Sequence, residues 1–242
     1  MCLKSFYGST VGKKIIVALT GLFLIFFVVG HMIGNLKTFG GYDPSGVHKL
    51  DIYAQFLRTF GHELLGHATA LWIFRILLLG ALVLHVVTVI QLQIANKRAR
   101  GSEYVARKYG AATLSARWMF VGGLFLLLFV IVHLLHLTIG TLHFQGFVEG
   151  AVYHNVHSTF QVWYVVLFYL LALLALAAHL MHGFWSVFQT LGLNSPTKNV
   201  WIKLAARALA IVLLVGFAVV PVAILAGALP APKPVSSIEQ GK

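Results

Sequence analysis

The chain has 242 residues, 59% of them hydrophobic and only 10% charged, with a mean hydropathy of +0.88. Soluble domains carry roughly 45–50% apolar and about 25% charged residues, so this balance excludes a water-soluble enzyme, a solvated nucleic-acid binder and a disordered tail. The formal charge of +12 belongs with basic residues that flank apolar spans and set membrane orientation. Twelve histidines stand against six carboxylates, an excess that is expensive in lipid and points to use. The single cysteine, Cys2, excludes a disulfide framework or a CxxC pair within the chain.

A bilayer-crossing helix needs roughly 20 mostly apolar residues, and five such runs predict an all-α integral membrane protein with helices at about 14–37, 68–96, 116–142, 159–191 and 203–229. They form one helical bundle over 1–229, followed by a tail at 230–242. The first run is as long as a full span and lacks a small-residue cleavage site, which reads as a retained helix and not a signal peptide. Arg75 interrupts the second, and Pro221 marks a kink in the fifth.

Lysine and arginine fix the orientation. Twelve fall before the first span and in the second and fourth connections, from Lys4 to Arg207, against five on the other side: Lys37, Lys49, Arg58, Lys233 and Lys242. The positive-inside bias then puts the N-terminus in the cytoplasm and the C-terminus outside, as an odd number of spans requires. The outer loop of roughly 30 residues after the first span contains apolar segments and is expected to fold partly as interfacial helix.

Four spans carry histidine at membrane depth: His31, His85, His133 with His136, and His179 with His182; the fifth carries none. A single buried imidazole is satisfied by a neighbouring helix, but one on each of four consecutive helices points to a shared ligand. No acidic residue lies deep in a span and no thiolate is available, which disfavours zinc and di-metal sites. Imidazoles alone, among aromatic residues and glycines such as Gly21, Gly122, Gly123 and Gly183, suit haem iron with two axial histidines. Depth pairs them. His31 follows Lys14 by 17 residues and His133 follows Arg117 by 16, which sets both roughly 25 Å from the cytoplasmic start. His85 precedes Lys97 by 12 and His179 precedes Leu191 by 12, roughly 18 Å from the inner face. One haem b is therefore expected on His31 and His133 toward the outside, and a second on His85 and His179 nearer the cytoplasm. With both axial positions filled, the chemistry is electron transfer. Each ligand is expected to donate its second ring N–H to the carbonyl four residues earlier, and His136 and His182 remain rivals on the same helix faces.

At this point the residues resemble a known family, the five-helix dihaem cytochrome b subunit (b558 type) of succinate dehydrogenases and fumarate reductases. The resemblance rests on Gly12-Lys13-Lys14 through Thr20-Gly21 to Gly30-His31-Met32, on Ala70 to Arg75 followed by Leu84-His85, on Arg117-Trp118-Met119 with Gly122 and His133-Leu134, and on His179 with Gly183-Phe184-Trp185-Ser186. It covers nearly all of 1–229. It implies a multi-pass anchor in the cytoplasmic (inner) membrane for a flavoprotein and an iron–sulfur subunit, passing electrons to or from a quinone, usually menaquinone. It also implies His31 and His133 as ligands of the distal haem, and His85 and His179 of the proximal one. Arg117 and Trp118 are candidates for propionate contacts, or for an interfacial anchor pair. Some members carry a proton-conducting glutamate two residues before the fourth-helix ligand; here that residue is Ala177. Glu63 is a candidate for an outer quinone or proton site, against the plainer reading of an exposed loop carboxylate. Cytochrome b subunits of hydrogenases or formate dehydrogenases, histidine-based proton-coupled transporters and haem-free anchors are the alternatives.

Overall fold

The computed structural model describes residues 3–99, 114–144 and 146–233. Among these the chain is helical, with no strand and one isolated bridge between Tyr42 and His48. A short α1 (Leu3–Gly8) precedes α2 (Thr10–Asn35). The chain tightens into a 3₁₀ turn (Leu36–Gly40), then forms α3 (Lys49–Thr59) and α4 (His62–Leu65). The remaining helices are α5 (Thr69–Ala99), α6 (Leu114–His133) running on as a π turn (Leu134–Ile139), α7 (Val152–Phe160), α8 (Trp163–Thr190) and α9 (Pro196–Leu225). Five of them, α2, α5, α6 with its π turn, α8 and α9, are long and apolar enough to cross a membrane.

Local chemistry sets the boundaries. Ser9 caps α2 by accepting from Gly12 N–H at 2.9 Å, and Ser195 caps α9 by accepting from Lys198 N–H at 3.2 Å with Pro196 in the first turn. The fifth helix therefore begins at Pro196 and not near 203, because a cap and an N-terminal proline outweigh the polar composition of its first turns. The fourth begins at Trp163 and not near 159. Val162 is extended (φ −98°, ψ 108°), which breaks the chain after α7 and leaves Thr159 on that short helix. The expected interfacial helix is present as α3 and α4; α7, in the other long connection, was not foreseen. Pro221 lies inside α9, buried.

Lipid tails are as apolar as leucine, so helices here associate through close packing and not through a hydrophobic drive. The bundle core is Ile25 and Met32 of α2, Leu173, Ala177 and Leu180 of α8, and Ala210, Leu213 and Phe217 of α9. The Met32 thioether occupies the place of a Cβ on Gly216, so glycine there makes room for the methionine at this α2–α9 crossing. Ala177 and Ala210 bring α8 and α9 together in the same way; the small side chain at 177 is a packing residue. Outside this core, α5 packs on α2 and α6 packs on α8.

Candidate functional site

His31 and His133 meet between α2 and α6 with ring centres 5.9 Å apart and planes at 82°. Each is backed by a phenylalanine one turn earlier on its own helix: Phe27 stacks on His31 at 5.3 Å, and Phe129 on His133 at 5.7 Å. Phe217 of α9 closes the His31 side at 5.8 Å. Two imidazoles bridged by one metal ion need ring centres roughly 6 Å apart, about 2 Å for each metal–nitrogen bond and about 1 Å from each nitrogen to its ring centre. The His31–His133 pair has that spacing.

His85 of α5 and His179 of α8 lie within electrostatic reach of each other. Glycines let neighbouring helices approach both: a Cβ on Gly21 would stand 3.2 Å from His85 Cε1, and one on Gly123 would stand 3.5 Å from His179 Cε1. Thr20 Oγ1 lies 3.1 Å from His85 Nδ1. His179 Nδ1 is buried with no hydrogen-bond partner among the described residues, and a buried polar atom left so is costly.

Whether these residues fit a haem is decided by how their helices pack. Among the described residues α2 does not pack along α6, nor α5 along α8, although each pair of helices brings two imidazoles together. The first pair of imidazoles therefore meets between two helices that are not packed along each other. At Gly122 and Gly183, beside the second pair, a Cβ would meet nothing within 4 Å. Among the described residues no three metal-ligating side chains converge. A porphyrin supplies four nitrogens itself and asks only two of the protein, a number that one histidine pair meets.

His136, which depth ranks behind His133 as a ligand, is 3% exposed and belongs to a polar chain. Its Nδ1 lies 3.3 Å from Tyr169 Oη, which is also 3.4 Å from His133 Nδ1. On its other side Nε2 lies 3.3 Å from Thr159 Oγ1, itself 3.1 Å from His143 Nε2. The π turn that begins after His133 carries His136, and π turns gather at functional sites. His182 pairs with no second histidine ring; its neighbour is Trp185 at 6.2 Å, over which Lys203 Nζ sits at 5.0 Å. At His85 and His133 the ring Nδ1 lies beside a hydroxyl of an adjacent helix, that of Thr20 and of Tyr169, and His85 also bonds the Val17 backbone.

No known protein family, characterised protein or solved structure matches the chain.

The other sequence candidates stand apart. Trp118 is 59% exposed on α6. Arg117 is in the first turn of that helix, but its side chain lies outside the described residues. Glu63 is exposed on the four-residue α4, away from both pairs. Sequence reading missed a cap at this end of the bundle. His48 stacks on Tyr153 with ring centres 3.5 Å apart, Asp51 Oδ1 accepts from Tyr153 N–H at 2.9 Å, and Tyr153 Oη donates to the Pro230 carbonyl at 2.7 Å. Burial pulls His48 down to about 4 and pushes Asp51 up, and it raises Tyr153 to about 12. His48 Nδ1 accepts from Leu50 N–H at 3.2 Å, so it caps α3 as a neutral imidazole.

Proposed function

We propose that this chain is the dihaem cytochrome b anchor of a succinate:quinone oxidoreductase, working as succinate dehydrogenase or fumarate reductase and exchanging electrons between an iron–sulfur subunit and menaquinone. The observation that carries the reading is the convergence of four imidazoles, in two pairs, from helices that are not packed along each other. In this reading His31 and His133 hold the distal haem b, and His85 and His179 the proximal one. When bound, the haems supply one-electron transfer across the bundle.

The chain's own residues then have defined tasks. Phe27, Phe129 and Phe217 keep water from the first pair, and the glycines at 21 and 123 let α2 and α6 close on the second. Arg117 and Trp118, at the start of α6, are the candidates for propionate contacts at the cytoplasmic rim. Basic connections on that side offer positive surface to the flavoprotein and iron–sulfur subunits. The cap of α3, α4 and α7 faces outward, and Glu63 lies there as a candidate proton or quinone contact. With alanine at 177, a proton path through a fourth-helix glutamate is absent from this reading. Orientation follows the lysine and arginine bias, N-terminus inside, in the cytoplasmic membrane.

A reduced-minus-oxidised absorption spectrum of the purified chain, with cofactors retained, tests this. The expected result is a b-type band with two haems per chain. Its absence overturns the reading. Copurification of the two soluble subunits, with succinate:quinone activity on menaquinone and ubiquinone analogues, then separates this assignment from other membrane dehydrogenases.

A further inference from the structure

The two pairs share a feature that the resemblance does not supply. In each, one imidazole has its Nδ1 engaged by a hydroxyl from a neighbouring helix: Thr20 of α2 for His85 of α5, and Tyr169 of α8 for His133 of α6. The direction of the first bond follows from proton counting. A threonine hydroxyl has one hydrogen, and Thr20 gives it to its own helix: Oγ1 lies 2.7 Å from the Ile16 carbonyl and 3.3 Å from that of Val17. Toward His85 it can only accept. The ring also bonds the Val17 backbone, and with its proton on Nδ1 His85 gives Thr20 a donor and keeps the Nε2 lone pair free, the tautomer a metal ligand requires.

Tyr169 has the same arithmetic with two imidazoles. Its one hydrogen serves either His133 or His136. His136 can accept at Nδ1 because its Nε2 has Thr159 Oγ1 to donate to, 3.3 Å away. Tyr169 then donates to His136 and accepts from His133 Nδ1–H, and His133 is left with a free Nε2. His136 is thus a member of the arrangement without being a ligand. The partner imidazole of the second pair, His179, has no such bond at Nδ1.

Resting on the dihaem reading, we propose that Thr20 and Tyr169 are positioning residues, one for each haem, which fix the tautomer of His85 and His133 and strengthen each as an electron donor to iron. An imidazole whose N–H is accepted by an oxygen is more basic, and a more basic ligand favours the oxidised metal. Removing the acceptor therefore raises the reduction potential of that haem alone.

The test is redox titration of the haem-loaded chain, followed optically, in Thr20→Val, Thr20→Ser and Tyr169→Phe. Thr20→Val is expected to increase the reduced-to-oxidised ratio of one haem roughly tenfold at fixed ambient potential, about 59 mV for one electron, with the other unmoved. Thr20→Ser, which restores the hydroxyl, returns it to the parent value. Tyr169→Phe moves the other haem in the same direction. Where Tyr169→Phe costs that haem outright, Thr159→Val carries the test, since it interrupts the same chain beyond His136; a smaller shift of the same sign supports the proposal, and none overturns it. Two haems whose potentials ignore both substitutions, or move together, overturn this inference and leave the dihaem reading standing. A parent chain without haem overturns both.

Discussion

Gly21→Ala sets two effects of opposite sign against each other. Replacing a mid-helix glycine by alanine favours the helix by about 1 kcal/mol, so α2 itself gains. The added Cβ, however, stands 3.2 Å from His85 Cε1, and carbon atoms at rest prefer roughly 3.5–4.0 Å. His85 must retreat by about 0.4 Å, and its bond to Thr20 Oγ1, now 3.1 Å, stretches to the edge of hydrogen-bond range. A metal–nitrogen bond tolerates about 0.2 Å, so the strain falls on the His85–His179 site, where overpacking costs roughly 1–3 kcal/mol. The matched change Gly123→Ala puts its Cβ at 3.5 Å from His179 Cε1, an ordinary contact, and is absorbed. Haem-to-protein ratio and the reduced-minus-oxidised spectrum read the outcome: Gly21→Ala weakens or loses one haem in a chain that still folds, while Gly123→Ala keeps both. Two intact, spectrally unchanged haems in Gly21→Ala, or loss confined to Gly123→Ala, would refute the packing argument.

Other outcomes follow from the same geometry. His31→Ala and His133→Ala each lose the same haem, and His85→Ala and His179→Ala the other, whereas His136→Ala retains both; cofactor counts in the five variants check this. His136→Ala does lose stability, about 1–3 kcal/mol for the partners left unpaired at Tyr169 and Thr159, read as a lower thermal midpoint in detergent. Tyr153→Phe removes the bond to the Pro230 carbonyl and costs about 1 kcal/mol; it is expected to speed proteolysis of the tail and leave both haems in place. His48, ordinarily near 6.5 and held at about 4 by burial, resists protonation when folded. Its contribution is complete above pH 6.5 and declines as pH falls from 6.5 toward 4, by roughly 1–2 kcal/mol once partial solvent access is allowed for. Asp51, pushed up by burial, acts in the opposite sense, costing stability while ionised and returning it as pH falls through its raised value. A midpoint that falls on acidification in the parent chain but less in His48→Gln checks the sign.

The spans were legible because charge is excluded from them: uncharged runs long enough to cross a bilayer located all five helices, and Gly140 and Gly192, both at positive φ, mark where the third and fourth stop. Boundaries at polar ends were not legible. The cap at Ser195 is a matter of one hydrogen bond, and the break at Val162 falls within an apolar run whose residue types favour no stop. Depth arithmetic paired His31 with His133 and His85 with His179 because rise per residue in a spanning helix is nearly constant; the rings of the first pair lie 5.9 Å apart and those of the second within electrostatic reach. The polar neighbours were out of reach. Thr20 is 65 residues from His85 and Tyr169 is 36 from His133, and nothing in a helical period says which hydroxyl on another helix will face a given ring. The cap escaped for the same reason: Asp51 meets Tyr153 across 102 residues.

The packing of α5 on α2, and of α6 on α8, divides the spans into an early hairpin and a late group. Each histidine pair takes one imidazole from either part: His31 and His85 from the first, His133 and His179 from the second. The halves already share a core through α2 on α8 and α9, and the histidine pairs join them again outside it. Under the proposed function, loading one site draws the halves together and lowers the entropy lost at the other. Each haem then adds its own tie between the halves, and a chain that keeps one haem keeps one tie.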